Sequence, residues 1–187
     1  MNDARFIELA LTNEANRTIL ERLPDLDLPD AWLVSGSLFQ SVWNALTGRA
    51  QGYGIKDYDI FYFDPDTSWE AEDVVIRRCA EAFAPLGVEV EVKNQARVHL
   101  WYEKKFGTPY PLLTCACEGI DRFLTHASMV GLHPGAEGLR LYAPHGLDDV
   151  ETMTLRPNRA ANFSADRYAE KAARWKAMWP ELRVMED

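Results

Sequence analysis

The chain has only three cysteines, Cys79, Cys115 and Cys117, and four histidines in 187 residues. Three thiols form no paired framework, and a Cys-x-Cys without a second ligand pair is poor zinc spacing, so reduced thiols are expected. His99, His126, His133 and His145 lack the i, i+4 spacing of a helical metal centre. Basic charge is scarce as well: 20 Lys and Arg against 29 Asp and Glu leave a net charge of −9. That weighs against a protein that wraps long nucleic acid, whose affinity comes mainly from cations neutralising phosphates, and leaves a nucleotide or a small acceptor open. No stretch approaches the ~20 apolar residues needed to span a bilayer. The N-terminus, Met1 to Arg5, has no basic flank leading into an apolar run, so a cytoplasmic location without a membrane partner is expected.

What is present suffices for one core. Apolar residues make up 47% of the chain, and its length favours a single domain over 1–187. Phe6, Leu9, Ala10, Ile19, Leu20 and Leu23 fall at helical spacing, and Pro24 stops the pattern. The run Ala31 to Val34 ends at Ser35-Gly36-Ser37, after which Leu38, Val42, Ala45 and Leu46 predict a helix up to Gly48. A glycine-bearing loop then leads to the aromatic-rich strand Asp57 to Phe63, closed by the turn residues Asp64-Pro65-Asp66. Thr67-Ser68-Trp69-Glu70 offers a capping box for a helix with Val75, Cys79 and Phe83 on its inner face. Val88 to Trp101 alternates: Val88, Val90, Val92, Ala96, Val98 and Leu100 share one parity. The other parity holds Glu89, Glu91, Lys93, Arg97 and His99, so Glu91, Arg97 and His99 are expected on one face, with a bulge or loop near Asn94-Gln95. Beyond Pro109 the expectation is helix around Cys115 to Met129, a turn at His133-Pro134-Gly135 and a final helix capped by Ser164. The whole reads as an α/β (α+β) fold, a mixed sheet with flanking helices. Its core covers about 1–110 and a helical C-terminal part, about 111–187, partly closes a cleft.

The chemistry concentrates at Gly36-Ser37, Asp57-Tyr58-Asp59 and Glu91. Carboxylates two apart on a strand point the same way, and a glycine-serine turn lets backbone N–H groups approach phosphates. A third carboxylate on a later strand would complete a divalent-metal pair that clamps attacking and leaving oxygens. Three gathered carboxylates repel one another unless a cation offsets them. Glu89 lies on the same polar face and competes with Glu91 for the third position. Lys93, Arg97 and His99 either contact the triphosphate or ribose, or form a salt-bridged strand face. Lys171, Arg174 and Lys176 form a basic cluster, read as a solvated helix face that could receive an anionic acceptor.

The order Gly-Ser, Asp-x-Asp, acidic strand resembles the nucleotidyltransferase superfamily that includes DNA polymerase β. Four blocks are similar to a little-characterised bacterial nucleotidyltransferase family: Gly36 to Asn44, Lys56 to Asp64, Glu91 to His99, and Ala143 to Asp149. The resemblance implies Mg²⁺-dependent transfer of a nucleoside monophosphate from an NTP to a hydroxyl of an acceptor, with pyrophosphate released. Two ions are implied, held by Asp57 and Asp59, with Glu91 on the ion that activates the acceptor. Gly36 and Ser37 would seat the β- and γ-phosphates, with Arg97 and Lys93 as further nucleotide-binding residues. The acceptor, whether small molecule, protein or RNA end, is left open. Two alternatives stand beside this reading: a non-catalytic nucleotide- or partner-binding module of the same fold, and a sugar-nucleotide glycosyltransferase, whose Asp-x-Asp also binds metal.

Overall fold

A computed structural model describes residues 1–160 and 162–186. Two short helices, α1 (Asp3–Ala10) and α2 (Glu14–Arg22), are each opened by an asparagine whose side chain accepts from the first turn: Asn2 from Arg5 N–H, Asn13 from Ala15 N–H. Strand β1 (Trp32–Val34) runs into α3 (Gly36–Thr47), which stops at Gly48 in the left-handed region (φ 67°). Next come β2 (Tyr58–Tyr62) and α4 (Trp69–Phe83), the latter capped by the Ser68 hydroxyl, and then β3 (Val90–Asn94). A 3₁₀ segment, Gln95–Leu100, leads to the short helices α5 (Tyr102–Phe106) and α6 (Ala116–Ile120). The hairpin β4 (Gly131–Gly135) and β5 (Gly138–Tyr142) precedes α7 (Asp148–Glu151), β6 (Thr154–Leu155), α8 (Ala165–Met178) and β7 (Arg183–Val184).

The main sheet is five-stranded and mixed, in the order β3-β2-β1-β4-β5; β2 and β3 are parallel and the other neighbours antiparallel. Alternation along the strands divides two cores. Leu33, Tyr58, Ile60, Tyr62, Val92 and Leu132 join a large core with α1 to α4, α7 and α8. Trp32, Val34 and Phe61, from the opposite face, pack on Ala116 and Ile120 of α6. Asp59 lies between Tyr58 and Ile60 and so shares the second face, part of which α6 covers and part of which opens into a cleft.

The roof of that cleft, α8, is fixed by aromatic packing. Phe39 and Trp43 of α3 meet Trp175 edge-on at ring-centroid distances of 5.1 and 6.0 Å, and Trp43 meets Trp179 at 5.5 Å. The indole N–H groups are used too: Trp179 donates to Asn44 Oδ1 (3.0 Å) and Trp43 to the Val150 carbonyl (3.1 Å). Gly54, at φ 71°, lies against the Trp179 ring where a Cβ would collide.

Three expectations are corrected. The parity of Val88 to Trp101 does not continue through the segment: Asn94 turns its side chain to accept from Ala96 N–H and Asp64 N–H, the strand ends, and Leu100 is exposed. The turn expected at His133-Pro134-Gly135 is strand; the hairpin turns at Ala136-Glu137 instead. Nor is the part beyond residue 110 only helical, since β4 returns to pair with β1 inside the main sheet.

Candidate active site

The register of β2 and β3 sets Asp59 beside Glu91 and Phe61 beside Lys93. Asp57, two residues before Asp59, lines the same cleft, whereas Glu89 is exposed and not part of its lining. Lys93 Nζ lies 3.5 Å from Asp59 Oδ1 and pairs with Glu91, while Lys56 Nζ sits 3.1 Å from Asp57 Oδ2. Each carboxylate thus has a lysine partner. Among the described residues, no three His, Cys, Asp or Glu side chains converge as a ready metal site. The donor set itself is all oxygen, which suits a hard divalent cation, with the Lys93 ammonium neutralising Asp59 and Glu91 here.

Protonation equilibria follow from this packing. Burial, together with the neighbouring Asp57 and Glu91, pushes the Asp59 carboxyl up to about 6, against the opposing pull of Lys93. Glu91 moves the other way, held down by its hydrogen bond from Lys93. Burial lowers Lys93, but Asp59 and Glu91 outweigh it and the net shift is upward. Across the cleft, burial and the nearby Arg174 pull Lys171 down to about 8, partly offset by Asp59.

The cleft has a volume of about 620 Å³. Its floor is the carboxylate cluster, one end is Ser35, Gly36 and Gln40, and its roof is Lys171, Arg174, Trp175 and Met178 of α8. Ser35 takes φ 56°, ψ −118°, a conformation that favours glycine, and α3 begins without a side-chain cap. Leu38 N–H already donates to the Ser35 carbonyl at 3.0 Å, so with no side-chain cap it is the N–H groups of Gly36 and Ser37 that an anion would meet at the positive end of this 12-residue helix. Gln40 is nearly buried, and its Oε1 has no hydrogen-bond partner.

Of the residues expected at the site, Gly36, Asp57, Asp59, Glu91 and Lys93 line one cleft. Ser37 does not: it is fully buried toward α2, its carbonyl accepting from Asn16 (2.9 Å) and its hydroxyl unpartnered. Arg97 is also elsewhere. Once the chain leaves β3 for the 3₁₀ segment, Arg97 swings to α4, pairing with Glu72 and donating to the Thr67 carbonyl at 2.8 Å. The shared face expected for Glu91 and Arg97 is thereby corrected. Ser35, Gln40 and Lys56 lie within the motif stretches read from the sequence but were given no role there; the positive φ of Ser35 and the Gln40 position one turn into α3 have no sequence signature of their own. The histidine-bearing block near α7 forms a separate cluster, with His126 and His145 stacked at 3.8 Å and Arg156 paired with Asp149 at 3.2 Å.

A comparison with curated proteins finds none that matches. Among solved structures, an NMR structure described as revealing a CCA-adding enzyme head domain is 25% identical, with a TM-score of 0.80, covering 100% of this chain and 97% of that one. A complex of CCA-adding enzyme with ATP is 13% identical with a TM-score of 0.50; this chain spans 41% of it, and the likeness is one of fold. At the level of families, residues 21–184 match the family described as Nucleotidyltransferase, which sets the glycosyltransferase alternative aside. With the matched segment running from α2 to β7, the chain belongs to the nucleotidyltransferase family.

Proposed function

We propose that the protein transfers a nucleoside monophosphate from an NTP to an acceptor hydroxyl. The acceptor oxygen forms a bond to the α-phosphorus as the bond to the pyrophosphate oxygen breaks, and the hydroxyl proton is released. The observation that carries this is the placement of Asp57, Asp59 and Glu91 in one cleft beside the uncapped start of α3. Family membership and the likeness to a CCA-adding enzyme head domain support the same reaction class.

The first N–H groups of α3 would hold the terminal phosphates, with Gln40 and Ser35 beside them. Lys171 and Arg174 would face the triphosphate from the roof, where cations offset charge that develops on the leaving group. Asp57, Asp59 and Glu91 would hold Mg²⁺, which when bound would neutralise phosphate charge and lower the pKa of the attacking hydroxyl. Lys93, which now pairs with Asp59 and Glu91, would then be available to a phosphate oxygen. Mg²⁺ as cofactor and a cytoplasmic setting belong to this proposal, and the base preference stays open; among the described residues no helix is long and apolar enough to cross a membrane.

The test is turnover. Wild-type protein with Mg²⁺, NTP labelled on the α-phosphate and a cell extract should transfer label and release pyrophosphate, and Asp57→Asn should abolish both. Absence of transfer from any common NTP, despite NTP binding, would favour the non-catalytic binding module.

A further inference from the structure

Beside the cleft lies a second, smaller cavity of about 200 Å³, reached past Asp59, Lys93, Phe106, Phe123 and Lys171, which line both. Its walls come mainly from the 3₁₀ segment after β3, from α5 and the chain to Tyr110, from α6 and from Arg167 of α8. They follow β3, while the start of α3 follows β1, and β2 with Asp59 lies between those two strands in the sheet. In-line displacement sets entering and leaving oxygens on opposite sides of the α-phosphorus. With the leaving phosphates at α3, the entering hydroxyl comes from the β3 side, where this cavity opens.

The lining describes what would sit there. Trp101, Tyr102, Phe106 and Tyr110 form a ring-lined slot, and cations border it. The Arg167 guanidinium lies 4.1 Å from the Phe106 ring centroid and donates to Tyr102 OH at 2.9 Å; Lys105 lies 5.2 Å from the same centroid. Among the described residues, Asp59 is the one acid in the lining, against Lys93, Lys105, Arg122, Arg167 and Lys171. Among the described residues, two that line the cavity each carry a buried polar atom without a partner: Gln95 Oε1, which needs a donor and lies beside Gly119, and Arg122 Nε, which needs an acceptor. The Gln95 amide nitrogen is already committed to the Lys93 carbonyl at 3.3 Å. Buried polar groups are rarely left orphaned unless something else meets them. The volume is below the ~300 Å³ at which drug-sized pockets begin, room for about one substituted ring.

We infer that this side cavity binds the acceptor, and that the acceptor is a small molecule with one planar ring, an anionic substituent and the hydroxyl that receives the nucleotide. The inference rests on the nucleotidyltransferase reading above. A chain of net charge −9 with a slot of this size does not suit an extended RNA track.

The test titrates full-length protein by calorimetry with phenyl phosphate, phenylacetate, neutral benzyl alcohol and, separately, Mg·ATP. Two variants probe the slot. Gly119→Ala places a Cβ against the Gln95 amide oxygen and displaces it, at a helical position that tolerates alanine. Arg122→Lys keeps the charge and removes the Nε donor; Gln95→Leu replaces either variant that fails to fold by circular dichroism. At least one anion should bind wild type about tenfold more tightly than benzyl alcohol, and each variant should weaken that anion about tenfold while Mg·ATP stays within about twofold. Which anion binds better separates a carboxylate acceptor from a phosphate one. The inference is overturned if Mg·ATP weakens in parallel, which would give the slot to the nucleobase. It is also overturned if neither anion binds, or if a short RNA binds instead with the same dependence on the slot. Failure of wild type to bind Mg·ATP defeats the nucleotidyltransferase reading and the inference with it, and is distinguished because the anion titrations contain no nucleotide.

Discussion

Replacing Asp59 by asparagine should make the metal-free protein more stable near neutral pH and not at acid pH. The carboxyl sits beside Glu91 in the ladder and near Asp57, and burial raises it from 3.8 to about 6. Between those values the folded protein holds this proton more tightly than the unfolded chain, so stability falls as pH rises through the window and levels off above it. A gap of about two pH units corresponds to ~3 kcal/mol. The side chain keeps 21% of its surface, so screening brings the observable effect nearer ~2 kcal/mol. Asparagine resembles the protonated form in shape and leaves Lys93 paired with Glu91. Urea unfolding with a chelator present, at about pH 4 and about pH 7.5, should therefore give near-equal stabilities at the lower pH and a variant more stable by ~2 kcal/mol at the higher. A difference that does not change with pH, or an asparagine variant that is the weaker at pH 7.5, would refute the reasoning.

Three other substitutions separate site from scaffold. Arg97→Met should cost ~3 kcal/mol in urea unfolding, because it strands the Glu72 carboxylate, whose side chain is 8% exposed, while NTP affinity stays unchanged in calorimetry. A matching loss of NTP affinity would return Arg97 to the site. Ser35→Gly should relieve a conformation that disfavours a side chain and raise stability by ~1 kcal/mol, seen as a melting point about 3 °C higher; a lower one would mean that the Ser35 hydroxyl is engaged in the fold. Gly36→Val should weaken NTP binding more than folding, since a Cβ there meets only Gln40 Nε2, at an ordinary contact of 3.4 Å, while the valine methyls would take space at the phosphate end of the cleft; equal losses would make Gly36 only a turn.

The half of the fold that carries the cleft was legible because its signals are local. The apolar run before Ser35, the helical spacing up to Gly48, the aromatic strand and the Ser68 cap each specify one element, and the structure forms β1, α3, β2 and α4 there. Parity misled after Asn94, because a strand followed by a 3₁₀ segment can produce the same alternation of polar and apolar residues. The side chain of Asn94, a good cap, was the cue against a continuous strand. The β4–β5 hairpin was hidden by Pro134, since proline argues against a central strand. Here β1 is only three residues long and pairs with β4 at Leu132 and Gly131, leaving Pro134 paired to β5 alone. The cluster at Lys171 and Arg174 was visible as charge, but its position over the carboxylates depends on tryptophan packing between α3 and α8. That contact is far apart in sequence and has no periodic trace.

The most direct measurement is calorimetric titration of ATP into wild type and into the Asp57→Asn, Asp59→Asn double variant, each with Mg²⁺ and with chelator. The account predicts wild-type binding that requires Mg²⁺ and an affinity about a hundredfold lower in the double variant, with the fold intact by circular dichroism. Mg²⁺-dependent ATP affinity that is the same in both proteins would contradict it.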